Sequence, residues 1–392
     1  MKLLLLSFYY RPDLCAGSFR TTALVESLID NEDLEIELIT TYPNRYASFE
    51  LDEQVSLHEV NKRLTVHRIE LPSHKSGFID QAKAFLVFYH RVMKIVSKNR
   101  YDIVFSTSSR LFTAFLGARI SNKYRIPLYL DIRDLFIDTI NDVFPKAINL
   151  LISPILKRIE RYTFSSASHI NLVSEGFRKY FSSYPNAEYT FFTNGIDDEF
   201  LQSSYNFDQY DIHSEKPIEI LYAGNIGEGQ GLHTIIPDLA KRLGDKYRIT
   251  IVGDGGRKPL LEASVKEHSN VIILPPVKRD KLIEYYSNSD VLFLHLNDYD
   301  AFKKVLPSKI FEYAASGKPM LAGVGGYAAE FIQSEVVNAA VFPPSNASQA
   351  EKALRALKLG VATDRHSFKH KYRRENIMNR MAASILELPF KS

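Results

Sequence analysis

The sequence predicts an α/β chain of two units, each built on a parallel sheet. Three observations predict it. Short apolar strands alternate with helix-length segments, the alternation breaks once and restarts, and glycines gather where strands give way to helices. Strands separated by helix-length connections form βαβ units, which assemble into parallel sheets. At 392 residues the chain also exceeds what one ordinary core organises, so two domains suit its length.

In the first series the expected strands are KLLLLSFYY (2–10), EIELITT (35–41), LTVHRIE (64–70), DIVFSTS (102–108), PLYLDI (127–132), HINLV (169–173) and EYTFF (188–192). The opening run is too short for a leader, and Arg11-Pro12-Asp13 stands where small residues would mark cleavage, so 3–9 reads as a buried strand. The second series is EILYAG (219–224), YRITIVG (247–253), NVIILP (270–275), DVLFLHL (290–296), KPMLAG (318–323) and AAVF (339–342). Between them SSYNFDQYDIHSEKP (203–217) has neither period and reads as a linker. Two such series predict two Rossmann-like domains, at 1–200 and 218–365, joined by 201–217. The segment from 366 to 392 is helical in composition and follows the last strand.

Bulk composition excludes several classes. A formal charge of +3 gives no general case for nucleic acid. The single Cys15 rules out a disulfide framework or a cysteine-based metal cluster and suits a reducing cytoplasm. The histidines form no close pair at metal-ligand spacing, so no metal or other cofactor is expected. His295, after a buried strand and near Asp298 and Asp300, is a conceivable sugar contact. No stretch approaches a membrane span. The densest basic cluster, RHSFKHKYRR (365–374), reads as a surface helical segment.

Open parallel sheets take ligands at the carboxyl ends of their strands. Four loops in that position are unusual. YYRPDLCAGSFR (9–20) places Gly17 and Ser18 before a helix. YAGNIGEGQGLHTI (222–235) carries Gly224, Gly227, Gly229 and Gly231, and IVGDGG (251–256) carries Gly253–Gly256. In VLPSKIFEYAASGKPML (305–321), Pro307 suits a first helical turn and Gly317 a stop, while Lys309 and Glu312 lie three apart on one face. Glycine lets backbone N–H groups approach an anion. A dinucleotide fingerprint is not cleanly met, and no P-loop motif occurs.

Together YAGNIGEGQGLHTI, ITIVGDGGRKPLLE, NVIILPPVKRDKLIEYYSNSDVLFLHL, PSKIFEYAASGKPML, LVSEGFRKYF, FFTNGIDDEF and LDIRDLF resemble glycosyltransferase family 4 over nearly the whole chain, nearest to bacterial surface-polysaccharide enzymes of the amino-deoxysugar type. The resemblance implies a GT-B fold, with two Rossmann-like domains facing across a cleft, and a C-terminal helix from about 366 returning to the first domain. It implies that Glu312 accepts hydrogen bonds from both ribose hydroxyls of a nucleotide, a task two carboxylate oxygens suit. Gly17, Asn225, Gly227, Gly229, Gly253, Val277, Lys303, Lys304, Leu306 and Lys309 complete the expected donor set. The chain departs from the family pattern in three places. Lys304 stands where a second glutamate is usual, and Asn225 and Gln230 stand where an arginine and a lysine grip the diphosphate. Lys303, Lys304 and Lys309 are the expected replacements, with Lys304 also expected in catalysis. Arg133 occupies the place of a histidine that touches the donor sugar, and Asp134 is the expected group for orienting or deprotonating an acceptor hydroxyl. An Asp–Arg ion pair closing the loop is the competing reading.

Two segments, 77–101 and 145–162, combine apolar positions at helical period with lysines and arginines, as an anionic membrane surface would favour. The expectation is a retaining glycosyltransferase moving a sugar, of N-acetylated amino or deoxy type, from a UDP-linked donor to a saccharide, lipid-linked acceptor. Its place would be O-antigen or capsule biosynthesis, in the cytoplasm or at the inner membrane face. A nucleotide-sugar 2-epimerase and a non-catalytic nucleotide-sugar binding subunit are the alternatives.

Overall fold

The computed structural model describes residues 1–13, 15–43, 55–72, 78–108, 111–135, 137, 146–207 and 216–388, leaving aside the side chains of 78–82 and 146–151. The chain divides into one unit of Met1–Asn194 with Glu375–Ser392, and a second of Gly195–Arg374.

The first unit holds strands β1 (Lys2–Leu6), β2 (Glu35–Thr41), β3 (His58–Asn61), β4 (Leu64–Ile69), β5 (Ile103–Thr107), β6 (Leu128–Ile132), β7 (His169–Leu172) and β8 (Glu188–Thr190). Their order is β3-β4-β2-β1-β5-β6-β7-β8. Every pairing is parallel except β3 with β4. Leu3 to Leu6 are wholly buried, as an unbroken apolar run in a sheet covered on both faces must be. Strand β3 carries no apolar alternation and pairs antiparallel only because Lys62, at φ 48°, turns the chain back.

An ion pair is sealed inside this unit. Arg20 Nε and Nη2 donate to the two Asp131 oxygens, each at 2.8 Å, and Asn171 Nδ2 donates to Oδ1 at 2.8 Å. Arg20 also donates to the Thr193 and Phe192 carbonyls. Asp131, near the end of β6, is a fully engaged core group.

The helices Phe78–Val96 and Lys146–Ser165 also belong to this unit. The first buries Ala84, Phe88, Val92 and Val96 and exposes Lys83, Arg91 and Lys94, with Lys98 exposed in the turn that follows. Among the described residues, Leu86 stands exposed on the first of these helices and Ile155 on the second.

The second unit holds β9 (Ile218–Asn225), β10 (Tyr247–Asp254), β11 (Val271–Leu274), β12 (Val291–His295), β13 (Met320–Gly323) and β14 (Ala339–Phe342), all parallel, in the order β11-β10-β9-β12-β13-β14. Its core joins Ile220, Ile251 and Phe293 of the strands to Ile235 and Leu239 of the helix Leu232–Leu243.

The unit boundaries differ from those expected. Residues 195–200 and 366–374 cluster with the second unit, and the C-terminal segment is two helices, His366–Lys371 and Arg374–Glu387. The reason is local pairing. Ile196 N–H donates to the Tyr372 carbonyl at 2.7 Å, Arg374 N–H donates to the Ile196 carbonyl at 2.8 Å, and Asp197 takes the guanidinium groups of Arg374 and Arg279. Phe368 and Tyr372 meanwhile pack against Phe311. From Glu375 on the helix joins the first unit, burying Met378, Met381 and Ile385 and bringing Ser384 Oγ to 3.0 Å from the Tyr129 hydroxyl.

The basic cluster 365–374 is accordingly spent on structure. Arg365 is buried and donates to the Val337 carbonyl and to the Tyr313 and Ala314 carbonyls of the helix Lys309–Ser316. Lys371 pairs with Glu335 and Arg373 with Asp198.

Candidate functional site

Strand order locates the ligand crevice in each unit. In the second, the chain runs outward from β9 through β10 to β11, then crosses back to place β12 on the other side of β9. The loops leaving β9 and β12 therefore diverge, opening a crevice at their carboxyl ends. In the first unit the same reversal lies between β1 and β5.

At the β9/β12 crevice the two loops are tied together. Asn297 N–H donates to the Gly229 carbonyl at 2.8 Å, and Asn297 Nδ2 donates to the Glu228 carbonyl at 3.1 Å. A Cβ on Gly229 would lie 2.9 Å from the Phe302 ring, so the glycine loop rests on the turn that carries Lys303 and Lys304. Gly253 faces Gly224 in register on β10. A Cβ there would stand 1.9 Å from the Gly224 carbonyl oxygen, a contact no other residue type permits.

The helix Lys309–Ser316 begins at this crevice, and its first turn presents Glu312. Glu312 is 7% exposed, and its Oε2 accepts from Lys309 Nζ at 2.7 Å and from the Tyr286 hydroxyl at 3.0 Å. Both bonds fall on Oε2, and no hydrogen bond among the described residues falls on Oε1. The carboxylate is thus anchored by one oxygen and open at the other. Burial and then the Glu312 charge raise the Tyr286 hydroxyl well above its ordinary pKa, which keeps it a neutral donor. Lys309 also lies against β9, with Cε 3.7 Å from the Cβ position of Gly224.

The expected lysine set is only partly assembled. Lys309 alone of the three reaches Glu312. Lys303 Nζ donates to Asp300 at 2.7 Å on the exposed side of the turn, and Lys304 is half-buried in the same turn. Asn225 and Gln230 bond to each other, Nδ2 to Oε1 at 2.8 Å, and Gln230 Oε1 also takes the Gly227 N–H at 3.3 Å. A neutral amide pair therefore occupies the place of two cations. Leu306 is buried, and Val277 is half-buried in the loop after β11.

His295 is not placed to touch a sugar. Its ring is wholly buried, with Nδ1 at 2.7 Å from the Gln230 carbonyl and Nε2 accepting the Ser345 N–H at 2.9 Å. Both nitrogens serve backbone groups, which fixes a neutral ring that props the glycine loop. Burial depresses its pKa to about 4. A histidine whose folded pKa lies below its ordinary 6.5 stabilises the fold fully above that value and progressively less as pH falls towards 4. Urea unfolding is expected to show a loss of about 2 kcal/mol between pH 7 and pH 5. In His295→Gln that component of the pH dependence disappears.

Gly17, Arg133 and Asp134 belong to the first unit. A Cβ on Gly17 would lie 3.3 Å from Arg133 Nη1 and equally close to the Tyr9 ring, so the start of the helix Ala16–Ile29 and the end of β6 meet there. Arg133 N–H donates to Ser108 Oγ at 3.0 Å, just beyond β5. Nη1 is buried with no hydrogen-bond partner among the described residues. Burial and then the Arg20 charge push the guanidinium below its usual pKa. Asp134 is exposed. Tyr286 was not singled out in the sequence, since it lies on a different helix and only the fold brings its hydroxyl to Glu312.

Two family models match the chain. The model for Glycosyltransferase Family 4 matches residues 22–200, and that for Glycosyl transferases group 1 matches residues 206–374. The chain belongs to glycosyltransferase family 4. This family 4 chain is 38% identical over 112 residues to a curated relative from Escherichia coli (strain K12) named as a colanic acid biosynthesis glycosyl transferase, WcaI. The matched stretch spans 28% of this chain and 27% of the relative. Among solved structures, Anabaena Alr3699/HepE in complex with UDP superposes with a TM-score of 0.66 at 14% identity, over 99% of this chain and 100% of that one. WaaG, a glycosyltransferase involved in lipopolysaccharide biosynthesis, superposes with a TM-score of 0.60 at 14% identity, over 99% and 98%. At such identities the likeness establishes the GT-B fold. Among the described residues no group of three or more His, Cys, Asp and Glu is arranged to hold a metal ion.

Proposed function

We propose that this chain is a retaining glycosyltransferase of bacterial surface-polysaccharide biosynthesis, taking its sugar from a UDP-linked donor. The observation that carries the reading is the half-open Glu312 carboxylate, anchored through Oε2 at the β9/β12 crevice with Lys309 beside it. A ribose diol needs an acceptor with an available oxygen, and the adjoining phosphates need positive charge. UDP is favoured because a solved structure of the same fold holds it.

In the reaction an acceptor hydroxyl attacks C1 of the donor sugar, and the bond from C1 to the β-phosphate oxygen breaks. The hydroxyl proton passes to the departing phosphate on the same face. Asp134 orients the acceptor hydroxyl, Arg133 contributes positive charge near the sugar, and Lys304 with Lys303 and Lys309 offsets the charge on the leaving diphosphate. Gly17, Gly227, Gly229 and Gly253 allow backbone to approach the donor. Val277 and Leu306 border it, and Asn225 with Gln230 stiffens the loop.

A thermal-shift panel of UDP, GDP, dTDP and ADP tests the donor, with UDP expected to give the largest shift. A purified transferase should also release UDP slowly from a UDP-sugar in the absence of acceptor. A 2-epimer as the sole product would overturn the reading in favour of an epimerase, and no turnover at all would favour a binding subunit.

The acceptor is a lipid-linked saccharide on this reading, and the first unit is suited to meet it at an anionic membrane. Leu86 and Ile155 stand exposed on helices that carry Lys83, Arg91 and Lys94, with Lys98 just beyond the end of the first, and Lys157, Arg158 and Arg161. Among the described residues no helix is long and apolar enough to cross a membrane. Flotation with phosphatidylglycerol vesicles at low salt should carry the protein upward. Lys94→Glu with Lys98→Glu should weaken binding roughly tenfold or more, at about 1 kcal/mol per basic residue. Equal flotation of the two proteins would remove the membrane from the proposal.

A further inference from the structure

A diphosphate cradle with no cation on its own glycine loop has to draw charge from elsewhere in the fold. The third glycine loop, Gly253–Gly256, delivers an arginine to that place. A Cβ on Gly255 would lie 2.5 Å from the Ile226 carbonyl oxygen and 2.8 Å from Asn225 Oδ1, so the turn after β10 is pressed onto the end of β9. The next step of that turn is locked, since Arg257 N–H donates to the Ile226 carbonyl at 2.9 Å. The Arg257 side chain then crosses to Glu228, Nε to Oε2 at 2.5 Å.

Glu228 sits within the glycine loop itself. Its other oxygen accepts the Tyr299 hydroxyl at 2.7 Å. Burial pushes this carboxyl up, but the Tyr299 hydroxyl and Arg257 outweigh it and hold Glu228 ionised. An unshielded carboxylate there would repel a diphosphate, so its own cation matters. The end of β9 is thus flanked by two parked cations, each resting on a carboxylate. Lys309 rests on Glu312 from the β12 side, and Arg257 rests on Glu228 from the β10 side. The Arg257 side chain is nearly half exposed, so its guanidinium can turn without unpacking anything.

We propose that Arg257 is the diphosphate-binding arginine of this chain, held by Glu228 until the donor's phosphates take its place. The assignment rests on the nucleotide reading above and supplies the charge that Asn225 and Gln230 lack. The planar guanidinium offers paired donors to phosphate oxygens, which an ammonium cannot match. Glu228 acts as a competitor that keeps the arginine aimed at the loop and sets the donor affinity.

Calorimetric titration of the full chain with UDP and with uridine tests this, because uridine keeps the ribose and lacks the phosphates. Arg257→Gln should weaken UDP roughly tenfold to a hundredfold and leave uridine unchanged. Glu228→Gln should tighten UDP and again leave uridine unchanged. Arg248→Gln, the same charge loss at the opposite end of β10, is the control for net charge and should change neither. An unaltered UDP-to-uridine ratio in Arg257→Gln, or an equal loss in Arg248→Gln, overturns the assignment. If Glu312→Ala abolishes binding of both ligands while Arg257→Gln changes nothing, the arginine assignment alone fails. If Glu312→Ala changes nothing, the nucleotide reading fails and Arg257 falls with it.

Discussion

Glu312→Ala is expected to remove the UDP-induced thermal shift while leaving a folded protein. Two ribose hydroxyls donating to one carboxylate form charge-assisted hydrogen bonds, each contributing about 1.5–3 kcal/mol. Losing both corresponds to a fall in affinity of at least roughly a hundredfold. The folded state tolerates the change because the two groups that lose their acceptor differ in surroundings. The Lys309 side chain is about one quarter exposed and turns to water. The buried Tyr286 hydroxyl keeps only the Lys309 Nζ donor at 3.2 Å and loses the acceptor for its own proton, at a cost of about 1–3 kcal/mol, so a modest drop in melting temperature accompanies the lost shift. Glu312→Gln separates the effects, since the amide oxygen still accepts from Tyr286 while the charge is gone. Undiminished UDP affinity in Glu312→Ala would refute the ribose assignment.

The largest stability effect is expected from the ion pair sealed in the first unit. Arg20 and Asp131 are 1% and 2% exposed, and removing either leaves the other charged and buried. Breaking such a pair costs about 3–5 kcal/mol. Asp131→Ala should lower the stability of the first unit by that amount, and Arg20→Met by a similar one. The double variant Arg20→Met/Asp131→Ala should lose much less than the sum, because neither charge is stranded. Denaturant unfolding of the four proteins measures the coupling. Additive losses would mean that the carbonyls of Phe192 and Thr193, rather than Asp131, hold the guanidinium.

The alternation that organises the fold was legible because strand and helix differ in period and because parallel strands are apolar throughout. Strand β3 was not, since HEVN at the sheet edge buries too little to leave a pattern. The units were visible as two strand series, but their exact seams depend on Ile196 meeting Tyr372 and Arg374, contacts spanning about half the chain. At the site, Lys309 and Glu312 were readable from their spacing on one helix. Tyr286 was hidden because it arrives from a different helix, and Arg257 because its role depends on the β10 turn folding onto β9. His295 shows the reverse error. It ends a strand where ligands are expected and is consumed by the interior, which one sequence does not distinguish from a vacant side chain.

The two seams between the units also impose an order on biosynthesis. Every residue of the second unit, from 195 to 374, leaves the ribosome before the helix that supplies Met381 and Ser384 to the first unit. The half that starts first is therefore completed last. Its unfinished flank stays uncovered during translation of the rest, a window in which chaperones or premature truncation would act on it rather than on the later-made half.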